Sequence, residues 1–339
     1  MTVTRIFSIL ALALLTSLAG CTKEKTPSDT KNTTGATAVP VVGFIQAIED
    51  ATIDEARKGF YDALKEGGFD ESANTVKIIY RNAQGDSPTL DQIADYMVAQ
   101  KVDLIAANTT LAMITAAHKT STIPIFMMVA PSPGIAKLTT TDSAGNEIAP
   151  PNLYGVYETL AYIDTSVAMI RTLFPNAKRV GTLYNSSEPN SVNSMERLRA
   201  MCKSLGLELV EESVTSSNET QQAAQALAGK GIDLFFALPD NIIFSSFETV
   251  YKTMADKKLP IITSEAGLVK RGAFAAYGAD FYQWGHQAGA NAAQYLKSRD
   301  PKSTRLEIVA VRKKTFNPET AKALGLNPPA GFEPLTSAK

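Results

Sequence analysis

Two cysteines and two histidines are all that 339 residues contain of either kind, and that scarcity removes whole classes of chemistry. A zinc centre gathers three or four Cys, His or carboxylate ligands at short spacings. Here His118 and His286 lie far apart, each in a helical stretch, and Cys21 and Cys202 share no motif with them. Neither histidine is assigned as a metal ligand or general base. The glycines never fall into a nucleophile elbow (G-x-S-x-G), a phosphate loop (G-x-x-x-x-G-K) or a dinucleotide loop (G-x-G-x-x-G). The chain is therefore not read as an enzyme, and no metal or cofactor is expected. An excess of charge is missing too. Lys plus Arg number 33 against 34 Asp plus Glu, with no basic stripe interleaved with aromatics, so nucleic acid is excluded as a partner.

What is present begins at the N-terminus. Residues 1–20 carry Arg5, an apolar run from Ile6 to Leu15 and then Leu18-Ala19-Gly20 before Cys21, the pattern of an export signal too short to span a bilayer. Those last four residues resemble the lipobox of bacterial lipoproteins. The resemblance implies cleavage before Cys21, acylation of that cysteine, and an extracytoplasmic chain held to a bacterial membrane by lipid. Cys202 is then the one remaining thiol, and its place in an amphipathic helical stretch makes it a small buried apolar residue. Residues 21–39 form the anchor and linker. The eighteen residues TKEKTPSDTKNTTGATAV (22–39) are polar, as a disordered spacer of root-mean-square span roughly 20–25 Å should be.

From Pro40 onward, short β-rich runs alternate with longer amphipathic segments. VVGFI (41–45), VKIIY (76–80), DLIAA (103–107) and PIFMMV (124–129) are predicted strands, separated by helices near 53–66, 88–100 and 110–119. Their nearly continuous apolar character is that of a parallel sheet covered on both faces. Ser87-Pro88 is read as a helix cap followed by proline at the first helical position. The second half repeats the scheme, with strands RVGTLY (179–184), LELVEE (207–212), DLFFAL (233–238) and PIIT (260–263) and helices near 190–204, 217–228 and 241–255. VVGFIQ aligns with RVGTLY, VDLIAANTT with IDLFFALPD, and STIPIF with KKLPII. The fold class is therefore α/β, with two similar doubly wound parallel-sheet lobes. AFAAYGAD (273–280), a helix over 281–297 and a strand pair in 305–316 come after both sets, so the chain crosses between lobes more than once and makes a multi-strand hinge. The expected division is 40–156 plus 279–302 for the first lobe, 157–278 plus 303–330 for the second, and a tail at 331–339.

Ligands of open parallel sheets sit beyond the carboxyl ends of the strands, where helix N-termini present donors. The residues there are Gln46 to Glu49, Asn108 and Thr109, Val129 and Ala130, Asn185 to Asn190, Pro239 to Asn241, Ser264 and Glu265, and Tyr277 to Asp280. The stretch LYNSSEPNSVNS (183–194) holds more short polar side chains than one helix start needs. Ser187 or Asn190 would suffice as a cap, and the surplus, Glu188 among it, is assigned to a cleft between the lobes. An α-amino acid would place its carboxylate at the helix starts after Asn108 and Asn185, its ammonium on Glu188 or Asp240, and an aromatic ring against Tyr157, Phe244, Tyr277 or Trp284. Sugars and nucleosides compete with the amino acid for such a cleft.

Several stretches together resemble substrate-binding lipoproteins of ABC importers of the TrpX type, the tryptophan-binding proteins. They are QAIEDATIDEARKGFYDALKEGGF (46–69), VKIIYRNAQGD (76–86), STIPIF, LYNSSEPNS (183–191), AYGADFYQWG (276–285) and NPETAKALGL (317–326). The resemblance implies a type I periplasmic-binding clamshell that closes on one small solute, amino acid favoured, and delivers it to a permease with its ATPase. A monomer is expected, and a sensory lipoprotein docking on a receptor is the alternative. By position in the family's motifs the implied ligand contacts are Gln46, Asn108, Thr109, Ser186, Glu188, Asn190, Asp240 and Tyr277; the strand-end positions add Glu49, Ser187, Asn241, Glu265 and Asp280. The chain departs from the family where Val129-Ala130-Pro131 replaces a usual Thr-Asp-Pro, and an insert, KLTTTDSAGNEIAPPN (137–152), follows.

Overall fold

A computed structural model describes residues 38–335. The export signal, Cys21 and most of the linker lie outside the described residues. In chain order the first part runs β1 (Val41–Gln46), α1 (Ala51–Glu66), β2 (Lys77–Asn82), α2 (Ser87–Ala99), β3 (Leu104–Asn108), α3 (Thr110–Lys119), β4 (Ile125–Met128), β5 (Thr140–Thr141), β6 (Glu147–Ile148) and β7 (Leu153–Tyr157). The second part runs α4 (Tyr162–Leu173), β8 (Arg179–Asn185), α5 (Pro189–Ser204), β9 (Glu208–Val214), α6 (Thr220–Ala228), β10 (Leu234–Ala237), α7 (Asn241–Ser245), α8 (Phe247–Asp256), β11 (Ile261–Glu265), α9 (Ala266–Lys270) and β12 (Ala275–Ala279). The chain then continues through α10 (Phe281–Ser298), β13 (Leu306–Ile308), β14 (Arg312–Phe316), α11 (Pro318–Leu324) and β15 (Glu333–Pro334).

Two sheets result. The first has the order β2-β1-β3-β4-β7-β13, all parallel; the second has the order β9-β8-β10-β11-β12-β14-β15, with β14 antiparallel to β12. In each, the chain leaves its first strand to one side and returns on the other. The order therefore reverses between β1 and β3 and again between β8 and β10, and a crevice opens at the carboxyl ends of such strands. β1, β3, β4, β10 and β11 are almost wholly buried, as parallel strands covered by helices on both faces must be.

Several boundaries depart from the sequence reading. β7 has no counterpart among the predicted strands, and its five residues join the first sheet beside β4. The predicted pair in 305–316 separates: Leu306–Ile308 pairs with β7 in the first sheet, while Arg312–Phe316 pairs with β12 in the second. The boundary at 303 therefore misplaces β13. The helix start near 87 is capped by Asp86, whose carboxylate accepts from the Thr89 amide, with Ser87 as the first helical residue.

Three chain segments pass between the sheets, at the ends of β7, β12 and β13. Two of them are tied by a buried carboxylate: Glu158 receives Arg312 Nε at 2.9 Å and Nη2 at 2.6 Å on one oxygen. α10, coming after the second crossing, returns to pack on α1. The two helices approach so closely that a Cβ on Gly59 would stand 2.0 Å from the Tyr282 carbonyl oxygen, and one on Gly285 1.8 Å from that of Ala56. One apolar cluster runs continuously from Phe44 and Phe60 in the first lobe through Trp284, Phe281 and Phe244 to Phe235 and Phe247 in the second. A further cluster fills the outer face of each sheet.

Candidate functional site

Backbone strain gathers at the tips of the first sheet. Thr109 after β3 has φ 85°, Val129 after β4 has φ 51°, and Leu160 after β7 has φ 63°. Branched and bulky residues rarely adopt such values, at about 1–3 kcal/mol each. Here they recur on three adjacent strands around one space. Thr109 starts α3 without a capping bond from its side chain. Beside it, Gln46 and Asn108 stabilise each other: Asn108 Nδ2 donates to Gln46 Oε1 at 3.4 Å and to the Ile53 carbonyl at 3.3 Å, and Gln46 Nε2 donates to Asp54 at 2.8 Å.

The tips of the second sheet hold a polar network instead. Asp240 caps α7 through one oxygen, which accepts from the Ile242 and Ile243 amides, and its other oxygen accepts from the Asn185 amide at 2.6 Å and Ser191 Oγ at 2.5 Å. The β8 and β10 tips are thereby joined. Glu188 enters α5 without capping it; its two oxygens accept from Asn185 Nδ2 at 3.0 Å and Asn241 Nδ2 at 2.8 Å. Burial pushes both carboxyls above the ordinary carboxylate range. Asp240 is held by four donors, two of them amides of the helix it caps.

Between the two sets of tips lies a cavity of about 340 Å³, counted up to its open mouth. Its apolar wall is Val129, Ala130, Leu160, Phe244, Phe281 and Trp284; Thr110, Tyr162, Asn190, Asn241 and Glu265 supply the polar groups. The rings stand edge to face, Phe244 to Phe281 at 6.0 Å and Phe281 to Trp284 at 5.7 Å. Trp284 is fixed by donating its indole N–H to the Val156 carbonyl at 2.9 Å.

Glu265 is the notable group. It is fully buried, and burial pushes its carboxyl up to about 8. Oε1 accepts from the Tyr162 hydroxyl at 2.5 Å and Ser264 Oγ at 3.2 Å, while Oε2 is buried with no partner. Among the described residues, no lysine, arginine or histidine lines the cavity. Asn190 matches this pattern: Nδ2 donates to the Pro239 carbonyl at 2.9 Å and Oδ1 is left without a partner. Asn241 spends one amide hydrogen on Glu188, leaving its carbonyl oxygen uncommitted among the described residues. Both amides thus spend an N–H on the protein while their carbonyl oxygens are left for the cavity.

Of the residues expected at the site, Asn190, Asn241 and Glu265 line this cavity, and Thr110 does so next to Thr109 and Asn108, whose Oγ1 and Oδ1 are buried and unpartnered. Gln46, Glu188 and Asp240 lie behind the wall, their polar atoms engaged in the scaffold. Others point elsewhere. Glu49 is exposed and accepts from Asn82 and Gln84 at the β2 edge. Ser186 and Ser187 are exposed at a separate groove whose lining the buried Glu188 shares, its carboxylate held by Asn185 and Asn241. Tyr277 packs on the outer cluster of the second sheet. Asp280 caps α10 and pairs with Lys313 at 2.5 Å. Of the four rings proposed for stacking, Phe244 and Trp284 face the cavity, while Tyr157 packs with the outer cluster of the first sheet. Tyr162 and Phe281 were absent from the expected set; the alternation in LYGVY (153–157) would have exposed the β7 tip that leads to Tyr162.

Two doubly wound sheets whose reversal points face one shared cavity define a solute-binding protein of the two-lobed periplasmic type. Residues 41–330 match the family described as ABC transporter substrate binding protein, and the chain belongs to that family. The chain is 33% identical to a tyrosine-binding protein of Clostridioides difficile, covering 95% of this chain and 91% of that one. Among solved structures it resembles an ABC domain from Streptococcus pneumonia in complex with L-Trp (27% identity, TM-score 0.77, 87% of this chain and 99% of that one). It also resembles the ligand-free, open structure of a substrate-binding protein with adhesive properties from Clostridium difficile (30% identity, TM-score 0.64, 88% and 100%). Proteins of this family are binding proteins rather than enzymes and work outside the cytoplasm. No helix among the described residues is long and apolar enough to cross a membrane.

Proposed function

We propose that this chain captures an aromatic L-amino acid as its zwitterion between the two lobes and delivers it to an ABC permease. The observation that carries this is the Glu265 carboxyl, buried against an aromatic wall with one oxygen unpartnered and no cation among the described residues that line the cavity. A ligand ammonium supplies the missing charge, and its three N–H groups match Glu265 Oε2, Asn190 Oδ1 and Asn241 Oδ1. Each charge-assisted bond contributes about 1.5–3 kcal/mol. The ligand carboxylate goes to the start of α3, with the Thr110 hydroxyl and the free amides of the first turn. The ring lies against Phe244, Phe281 and Trp284. A sugar brings no cation and would leave Glu265 protonated. Relatives that bind tyrosine or are solved with L-Trp support the same class. The higher TM-score to the L-Trp complex than to the open relative supports a closed lobe arrangement.

Asn108 and Thr109 complete the first-lobe side of this site, and Gln46, Glu188 and Asp240 hold its contacts in place. Acylation at Cys21 anchors the chain, each buried methylene contributing about 0.8 kcal/mol, and the polar linker lets a monomeric body work above the membrane. The test is a thermal-shift and calorimetry panel of L-tyrosine, L-tryptophan, L-phenylalanine, N-acetyl-L-tyrosine and ribose. At 100 times its dissociation constant a true ligand stabilises by about 2.7 kcal/mol. A shift with free aromatic amino acids and none with the N-acetyl form is expected. A shift with ribose and none with the amino acids defeats the reading.

A further inference from the structure

The two lobes also meet away from the cavity, where a sheltered guanidinium spans them beside the more exposed Lys270–Glu55 pair at 3.7 Å. Arg271 follows α9 in the second lobe. There it pairs with Glu248 through Nε and Nη2, both at 2.8 Å, and donates from Nη2 to the Phe244 carbonyl at 2.8 Å. Its guanidinium lies over the Phe247 ring, 5.3 Å from the centroid. The remaining nitrogen reaches across to the first lobe: Nη1 donates to Asp50 Oδ2 at 2.5 Å and Thr52 Oγ1 at 3.3 Å. The two side chains are 13% and 1% exposed. Asp50 divides its oxygens. Oδ1 caps α1 by accepting from the Thr52 and Ile53 amides at 2.8 and 3.1 Å, while Oδ2 serves Arg271 alone.

We propose that Arg271 is a positioning residue for ligand capture: by bridging Asp50 in the first lobe and the Phe244 carbonyl in the second, it latches the closed lobes and sets how long the solute stays. This rests on the amino-acid reading above but concerns a contact outside the cavity. A lobe-spanning pair sheltered from water contributes only while the lobes are together; when they part, both groups return to water and the attraction falls steeply. The pair therefore weights the closed state, and because Arg271 also holds the backbone of Phe244, closure and the ring wall move as one. Removing such a pair acts on dissociation rather than encounter.

Asp50→Asn is the discriminating variant, because asparagine caps a helix as well as aspartate and Oδ1 can keep α1 intact while the charge facing Arg271 is lost. Arg271→Ala and the double variant complete a cycle. Stopped-flow mixing with L-tyrosine, read through Trp284, the single tryptophan, is expected to show dissociation about ten-fold faster in each single variant. Association should stay within about three-fold, and the double variant should be no faster than the worse single. Unchanged dissociation, or single effects that multiply in the double variant, overturns the latch.

A second arm needs no ligand. An ideal Cβ on Gly267 stands 3.1 Å from Thr52 Cβ across the lobes, slightly inside the ~3.8 Å of a disulfide. In the Thr52→Cys/Gly267→Cys background, diamide should trap the closed form several-fold more slowly once Asp50→Asn is added. Equal trapping rates overturn the latch even if L-tyrosine does not bind. Slower trapping without L-tyrosine binding sustains the latch and removes the amino-acid reading alone.

Discussion

The first lobe meets the solute with strained backbone, the second with a settled polar network. Thr109, Val129 and Leu160 hold positive φ at three neighbouring strand tips, and two buried side-chain atoms at the β3 tip, Asn108 Oδ1 and Thr109 Oγ1, have no partner. Across the cavity, Asp240 and Glu188 have donors on every oxygen, while Glu265, Asn190 and Asn241, which line it, keep an acceptor in reserve among the described residues. The contrast separates two ways of making a site. In the second lobe, an N–H of each amide is spent on the scaffold while carboxylate and carbonyl oxygens are left for the solute, which favours a cation. In the first lobe, the chain is bent against its preference so that amides and small groups face inward, which suits an anion and a ring.

If the second lobe's network is scaffold, breaking it should cost the most. Asp240→Ala removes the cap of α7 and the bonds to the Asn185 amide at the β8 tip and to Ser191 in α5, stranding buried donors at about 1–3 kcal/mol each. A loss of about 3 kcal/mol or more in chemical denaturation of the empty protein is expected. A variant as stable as the parent would mean that the two tips are not held together through this carboxylate.

Glu265→Gln tests the reserved acceptor and should separate from the scaffold effect. Affinity for the aromatic amino acid is expected to fall about 100-fold, roughly 2.7 kcal/mol, while the empty protein melts no lower, since a buried ionisable group has been removed. The same residue fixes a pH slope. Burial holds the empty carboxyl near 8, and an ammonium beside it lowers that value. Below pH 8 the ligand must expel a proton, so affinity should fall by up to about ten-fold per unit as pH drops below 8, and above it affinity should level off until the ligand's own ammonium begins to lose its proton. The stability of the empty protein runs the other way. The folded state keeps a proton that the unfolded chain releases between the ordinary carboxylate range and pH 8, so stability declines as pH rises through that window. Glu188, also raised by burial, adds its own slope to stability; affinity by calorimetry is the cleaner readout, and Glu265→Gln should flatten it.

The repeated pattern made both sheets legible, because parallel strands buried on two faces leave long apolar runs, and the pairing of VDLIAANTT with IDLFFALPD located β3 and β10 with the polar tips that follow them. What escaped depends on distances the chain does not advertise. Tyr162 and Glu265 meet across 103 positions, and which Glu265 oxygen is left over follows only from that meeting. β13 and β14 are four residues apart yet enter different sheets, a choice made by the hinge. Tyr277 illustrates the period of two: it sits on a strand of the expected sheet, but its side chain faces the outer cluster, since neighbouring positions point to opposite faces. The serines of the 183–194 stretch read like ligand donors, but the turn brings Glu188 inward and leaves Ser186 and Ser187 in solvent.

The smallest expected effect bears on the first lobe. Thr109 combines φ 85° with ψ 164°, a region that only glycine enters without cost. Thr109→Gly should therefore relieve about 1 kcal/mol of strain, partly offset by the greater freedom of glycine in the unfolded chain. The empty protein should melt at the parent's temperature or a few degrees higher. Affinity should drop about three- to ten-fold, because the unpartnered hydroxyl is lost and the start of α3 is no longer held in one conformation. Thr109→Ser separates these causes: it keeps the hydroxyl and the strain, so its affinity should stay within about two-fold of the parent. If Thr109→Gly instead lowers stability and leaves affinity untouched, the bent tips belong to the scaffold after all, and the division of labour between the lobes does not hold.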